Sequence, residues 1–294
     1  MSTEDDPYIV DISTWVEHAR SDPQRYRERQ ATEVLLAAVG QSSFYGDKLY
    51  LKGGVLMGVV YRSPRQTADI DFTAGFPPSD AIEEELRAAL NPELQRASAR
   101  LGYPDLVCRV QRVERKPRPD RFTGADFPAL NMTIAYAQRG TNAHRQLQQS
   151  HCPSVLKMEI SFREPVYAVR LVRLGEGAPA GVRTYSLADL IAEKIRALLQ
   201  QGIRHRYRRQ DIYDVDFLIR ELPPSPAEKH DILAALLTKA RARHIEPHPE
   251  SLADPEVRQR AKTDWQTLKL EIGDLPDFDE AHARVEAFYR SLPW

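Results

Sequence analysis

The stretch from Leu49 to Thr73 constrains this chain more than any other. A short apolar run, Leu49-Tyr50-Leu51, breaks at Gly53-Gly54, and a second run, Asp69-Ile-Asp-Phe-Thr73, alternates polar and apolar residues. The first run reads as a buried strand, the glycines as a turn into a helix over 55–61, and the alternation as a strand with one polar face. Two aspartates one residue apart on a strand project from the same face, with alpha carbons roughly 6.6 Å apart. Their carboxylates can converge on one divalent ion. Oxygen donors suit Mg²⁺, which keeps some waters and also takes substrate phosphate oxygens, so the pair is apt for phosphoryl or nucleotidyl transfer. Asp-x-Asp also arises often by chance on exposed strands. Gly53-Gly54 lifts this pair above that background, because backbone N–H groups at a helix start can hold a triphosphate.

Around this centre the pattern predicts an α+β (α/β) first half, with helices flanking a mixed sheet. A helical preface runs over 12–39, interrupted near Asp22-Pro23, and a further helix covers 79–101, with Ser79 or Asp80 as its N-cap. Strands are expected at 106–113, 130–136, 155–162 and 166–172. The Gly-, Ala- and Pro-containing stretch 175–181 is the expected boundary between a first domain, 1–180, and a helical C-terminal domain, 181–294. In the latter, Ser186 caps a helix over 187–199, and others follow at about 209–222, 226–243, 255–270 and 279–292.

Composition removes several classes. With 42% hydrophobic and 28% charged residues in 294, the chain is too apolar for disorder and long enough to bury a core without disulfides. No apolar run approaches the roughly 20 residues of a membrane-spanning helix. The acidic start, Met1 to Asp6, is unlike a secretory signal, so a soluble cytoplasmic protein with no membrane partner is expected. Cys108 and Cys152 lack metal-ligand spacing and read as reduced thiols. His144, His151, His230, His244, His248 and His282 have no partners that suggest a zinc site or a Ser-His-Asp arrangement.

Arg65 and Thr67 lead into Asp69. The whole stretch, from Leu51-Lys-Gly-Gly-Val-Leu-Met57 to Arg65-Gln-Thr-Ala-Asp-Ile-Asp71, resembles the first motif of the AbiEii toxin family of nucleotidyltransferases, related to the MenT toxins within the DNA polymerase β-like superfamily. The resemblance continues at Leu156-Lys-Met-Glu-Ile-Ser161, where the superfamily often carries a third carboxylate. Glu159 is the candidate, and Lys157 shares its strand. It continues again at Tyr185-Ser-Leu-Ala-Asp-Leu-Ile-Ala-Glu-Lys-Ile-Arg196, which places Lys194 as a phosphate-binding lysine. Arg209-Gln-Asp-Ile-Tyr-Asp214 is similar to the family's Arg-x-Asp-x-x-Asp segment, with Asp211 implied as essential, orienting the lysine or an incoming hydroxyl, and Asp214 pairing with a nearby cation. On periodicity alone a lysine on an amphipathic helix is ordinarily solvated surface.

The resemblance implies a nucleotidyltransferase fold and a toxin that transfers a nucleotide from a nucleoside triphosphate to RNA, with the tRNA 3′ end as the acceptor and blocked translation as the result. It implies Mg²⁺ on Asp69 and Asp71 with Glu159, nucleotide binding by Gly53, Gly54, Arg65, Thr67 and Lys194, catalysis through Asp69, Asp71, Lys194 and Asp211, and a cognate antitoxin. Thr67 stands where some relatives carry a serine that a partner phosphorylates. Two basic stretches can track phosphates: Arg204, Arg206, Arg208 and Arg209 with His205 and Tyr207 between them, and the run from Arg112 to Arg121. A protein or small-molecule acceptor, a non-catalytic nucleotide-binding module and an acidic-cluster nuclease are the competing readings.

Overall fold

The computed structural model describes residues 8–178 and 181–294. The acidic opening segment 1–6 and two positions of the 175–181 stretch lie outside the described residues. The chain divides into two compact units. The first comprises 1–62, 67–164 and 170–184, and the second 63–66, 165–169 and 185–294.

Period-2 alternation organises the first unit. Eight strands form one sheet: β1 (Tyr8–Ile9), β2 (Leu49–Lys52), β3 (Asp69–Ala74), β4 (Leu106–Lys116), β5 (Ala129–Gln138), β6 (Val155–Ser161), β7 (Val169–Arg173) and β8 (Gly181–Tyr185). Their order is β1-β7-β8-β2-β3-β6-β5-β4. β3 runs antiparallel to β2 and parallel to β6, and β5 runs antiparallel to both β6 and β4, so the sheet is mixed. Ile70, Phe72, Met158, Ile160, Leu130, Met132 and Ile134 are all buried on one face. Helices cover the apolar side: α1 (Ile12–Glu17), α2 (Pro23–Gln41), α3 (Gly53–Val59) and α4 (Ile82–Arg100), with α2 against β6 and α4 against β4. Two short helices, α5 (Pro119–Phe122) and α6 (Asn142–Gln148), follow. The break expected at Asp22-Pro23 is a helix start. Asp22 accepts from the backbone N–H of Gln24 and Arg25, and Pro23 occupies the first turn, where its missing N–H costs nothing.

Three local expectations differ from what the chain adopts. Neither Ser79 nor Asp80 caps α4: its N-cap is Ala81, without a side-chain bond, and Glu83, Glu84 and Glu85 meet the positive helix end instead. The 175–181 stretch is followed by β8, which pairs in parallel with β2 before the helices begin.

The helix expected over 255–270 is two pieces. α10 (Pro255–Lys262) ends before Asp264, which adopts φ 57°, and a 3₁₀ turn follows at Trp265–Leu268. The turn buries the Trp265 indole, whose Nε1 donates to the Pro276 carbonyl at 3.0 Å.

The second unit is helical: α7 (Leu187–Gln200), α8 (Arg209–Glu221), α9 (Pro226–Arg241), α10, α11 (Lys269–Ile272) and α12 (Phe278–Arg290). Ser186 caps α7 by accepting from the Asp189 N–H, and Ser225 with Glu228 forms a capping box at α9. No helix among the described residues is long and apolar enough to cross a membrane.

Candidate active site

The polar face of the first unit's sheet carries two cross-strand rows. Directly opposed residues on neighbouring strands lie on the same face. One row runs Lys52, Asp71, Glu159, Asn131, Glu114, and the next runs Asp69, Lys157, Thr133, Arg112. These residues from Asp69 and Asp71 outward, with Lys116 and with contributions from Met132 and Met158, line a cavity of about 430 Å³. The sheet register thus brings Asp69, Asp71 and Glu159 to one cavity. Glu159 stands beside Asp71, and Lys157 beside Asp69.

Gly53 explains why a glycine must open α3. Its φ is 70°, a region that L side chains rarely enter, and an added Cβ would sit 2.2 Å from Oδ2 of Asp71. The turn and the carboxylate are therefore packed against each other. A Cβ on Gly54 would lie 2.8 Å from the Thr67 side chain, and the Thr67 hydroxyl donates to the Asp69 carbonyl at 3.5 Å. Buried Lys52, next to the turn, bonds to Glu164 and lies 3.4 Å from the Ser161 hydroxyl, which fixes the end of β2.

Asp69 is exposed and Asp71 half-buried. Among the described residues no group of three His, Cys, Asp or Glu side chains is preassembled for a metal. The donor set fits an ion held by the two carboxylates of β3 that completes its shell with water and substrate oxygens, which is how Mg²⁺ is ordinarily bound.

In the second unit the remaining motif residues form a buried ionic cluster. Lys194 Nζ lies 2.5 Å from Oδ2 of Asp214 and 3.5 Å from Oδ1 of Asp211. Arg65 places Nε at 2.9 Å and Nη2 at 3.1 Å on the two oxygens of Asp214, a bidentate fork, and Glu271 stands 3.6 Å from its Nη1. Burial penalises the Lys194 ammonium, but Asp214 and Asp211 outweigh that penalty and hold its pKa above the ordinary lysine value. Burial likewise opposes ionisation of Asp214, and Lys194 and Arg65 overcome it, so its pKa falls below the usual carboxylate value. Asp214 is thus the nearer partner of the lysine and Asp211 the more distant one. Arg65, expected among the nucleotide-binding residues, has its fork committed to Asp214.

The sequence reading missed Asn131, Thr133, Arg112, Glu114 and Lys116 as lining residues of the Asp69–Asp71 cavity. The alternation Arg112, Glu114, Lys116 along β4 is a visible period-2 signal. Their position three strands from Asp69 depends on sheet order, which a single sequence does not display. Of the other basic stretch, the loop between α7 and α8 leaves Ile203, Arg204, His205, Arg206 and Tyr207 exposed.

A profile described as the nucleotidyl transferase AbiEii toxin of a type IV toxin–antitoxin system matches residues 34–284. No curated protein matches the chain. Among solved structures, JHP933 from Helicobacter pylori aligns over 90% of this chain and 90% of its own at 14% identity with a TM-score of 0.52. MenT4, a nucleotidyltransferase toxin from Mycobacterium tuberculosis, aligns over 96% and 98% at 16% identity with a TM-score of 0.49.

Proposed function

The chain belongs to the AbiEii family of nucleotidyltransferase toxins of type IV toxin–antitoxin systems, and from that premise we propose that it transfers a nucleoside monophosphate from a nucleoside triphosphate to an RNA hydroxyl, the tRNA 3′ end, and so blocks translation. The observation that carries this reading is the pairing of Gly53 with Asp71 on the polar face of the sheet, where a phosphate-approachable turn touches one of two adjacent carboxylates.

Nucleotidyltransferases work with a divalent metal and a nucleoside triphosphate. Here Asp69 and Asp71 would hold Mg²⁺, with Glu159 beside Asp71 as the third carboxylate. The bound ion would neutralise phosphate charge and favour the attacking hydroxylate. Gly53 and Gly54 let backbone N–H groups approach the phosphates without a Cβ in the way. The acceptor oxygen attacks the α-phosphorus, the bond to the bridging oxygen breaks, and pyrophosphate leaves. The acceptor hydroxyl releases its proton to solvent as its oxygen attacks. For Lys194 as a phosphate grip and Asp211 as an orienting group, the family resemblance carries the proposed roles; the second unit itself supplies an ammonium kept charged despite its burial.

Support for an RNA acceptor comes from the exposed loop Ile203 to Tyr207, basic with an aromatic residue beside the arginines. A toxin of such a system also implies an antitoxin, encoded beside it, that opposes it in the cell.

The reading is tested by incubating the purified protein with total tRNA, Mg²⁺ and each α-³²P nucleoside triphosphate, alongside Asp69→Ala. Label on tRNA that disappears in the variant is the expected result. Label appearing on protein instead, or equally in wild type and variant, would reject it.

A further inference from the structure

The cavity that holds Asp69 and Asp71 is asymmetric. On one flank of β3 lies the glycine turn, with Gly53 against Asp71. On the other flank the row from Asp69 continues outward through Lys157, Thr133 and Arg112, with Lys116 on the same cavity wall. The Lys157 side chain has no hydrogen-bond or ion-pair partner among the described residues and is exposed in the middle of the sheet. The Thr133 Oγ1 is buried and equally without a partner. Arg112 pairs with Glu114, two residues along its own strand, but both side chains are largely exposed, at 70% and 46%. An ion pair that open to solvent holds its partners weakly, so the guanidinium can turn to a stronger anion. The neighbouring row, Asp71, Glu159, Asn131 and Glu114, is acidic apart from its amide. Of the two rows on this flank, the one through Lys157 and Arg112 is the one that offers cations to a phosphate.

In-line displacement places the entering oxygen and the departing pyrophosphate on opposite sides of the reacting phosphorus. If the triphosphate rests on the glycine turn, the acceptor approaches from the β6–β5–β4 side. We propose that Lys157, Thr133 and Arg112 form the track that binds the sugar-phosphate backbone of the acceptor RNA strand behind its reactive 3′ hydroxyl. Two strand spacings make the track about 10 Å long, and a third carries it to Asp69, about 14 Å in all, enough for the last few nucleotides of a single strand. Asn131, one row over, faces the same strand with an amide donor and acceptor for a base edge or a 2′-hydroxyl.

This inference rests on the nucleotidyl-transfer reading, and binding measurements separate the two. Fluorescently end-labelled tRNA is titrated with wild type, Lys157→Ala, Arg112→Ala, the double variant and Lys157→Arg at several salt concentrations, without nucleotide, and Mg²⁺-nucleotide binding is followed separately by thermal shift. Each lost phosphate contact is expected to weaken tRNA binding about tenfold and to flatten the log K against log salt slope by about 0.7. Lys157→Arg should bind as wild type does, and nucleotide binding should be unchanged throughout. Weakened nucleotide binding with intact tRNA binding would overturn the track and assign these cations to the triphosphate. No change in either would make the row a solvated face and overturn it as well. A protein that binds tRNA through this row yet never labels it would keep the track and lose the transfer reading. One that labels tRNA with binding indifferent to both residues would keep the reading and lose the track.

Discussion

The two units treat the same residue type in opposite ways. Asp69, in the first, is exposed, and with Asp71 it lines an open cavity beside a glycine turn. Asp189, Asp214 and Asp216, in the second, have no solvent exposure, and each is met by cations: Lys239 at 2.7 Å from Asp189, Arg65 and Lys194 on Asp214, and Arg284 with Arg220 on Asp216. A carboxylate neutralised from within the chain has little left to offer a ligand. One left facing solvent keeps its lone pairs for an ion and substrate. Burial and partners thus separate the aspartates that cations of the chain already meet from the one left open to a ligand.

The largest effect that could break this comparison is on stability. Asp214→Ala leaves Arg65 and Lys194 buried without their shared counter-ion, and removing one member of a buried ionic group costs about 3–5 kcal/mol. Asp69→Ala, at an exposed position, should stay within about 0.5 kcal/mol of wild type. Urea unfolding of the two variants side by side measures both, and equal losses would erase the distinction.

Gly53→Ala should fall between them. The left-handed conformation costs an alanine about 1–2 kcal/mol, and the new methyl must push the Asp71 carboxylate aside. Transferase activity should therefore fall further than the modest loss in urea midpoint would suggest. Unchanged activity would separate the turn from the carboxylate site.

A smaller effect sharpens the comparison through pH. The Asp214 pKa is lowered in the folded protein. Its contribution to stability is therefore present above the unfolded carboxylate value of about 3.9 and is lost as pH falls through the lower folded value. Melting temperature should drop more steeply below about pH 4 in wild type than in Asp214→Asn, compared over the same acid range. Parallel acid limbs would mean that the cluster does not hold that carboxylate ionised.

Much of the first unit was legible because β3 and β6 alternate strictly: Ile70 and Phe72 inward against Asp69 and Asp71, and Leu156, Met158 and Ile160 inward against Lys157 and Glu159. The residues of β1, only two long, and of β8 carry no comparable alternation, and neither strand was anticipated. Within the second unit the motif residues were visible but their partners were not. Arg65 meets Asp214 across 149 positions of sequence, and no local periodicity encodes such a pairing. The same limit hid the Thr133–Arg112 side of the cavity, which exists only once β5 and β4 are laid beside β6.

The most direct test of the central claim measures ligand-induced stability rather than turnover. Thermal melts of wild type and Asp69→Asn/Asp71→Asn are recorded with and without Mg²⁺ and nucleoside triphosphate. At a hundred times its dissociation constant, a ligand of the native state adds about 2.7 kcal/mol, a shift of several degrees. The account predicts that shift in wild type and its loss in the double variant, each measured against the same protein without ligand. A double variant that melts like wild type and still gains the full shift would show that the metal and nucleotide are held elsewhere.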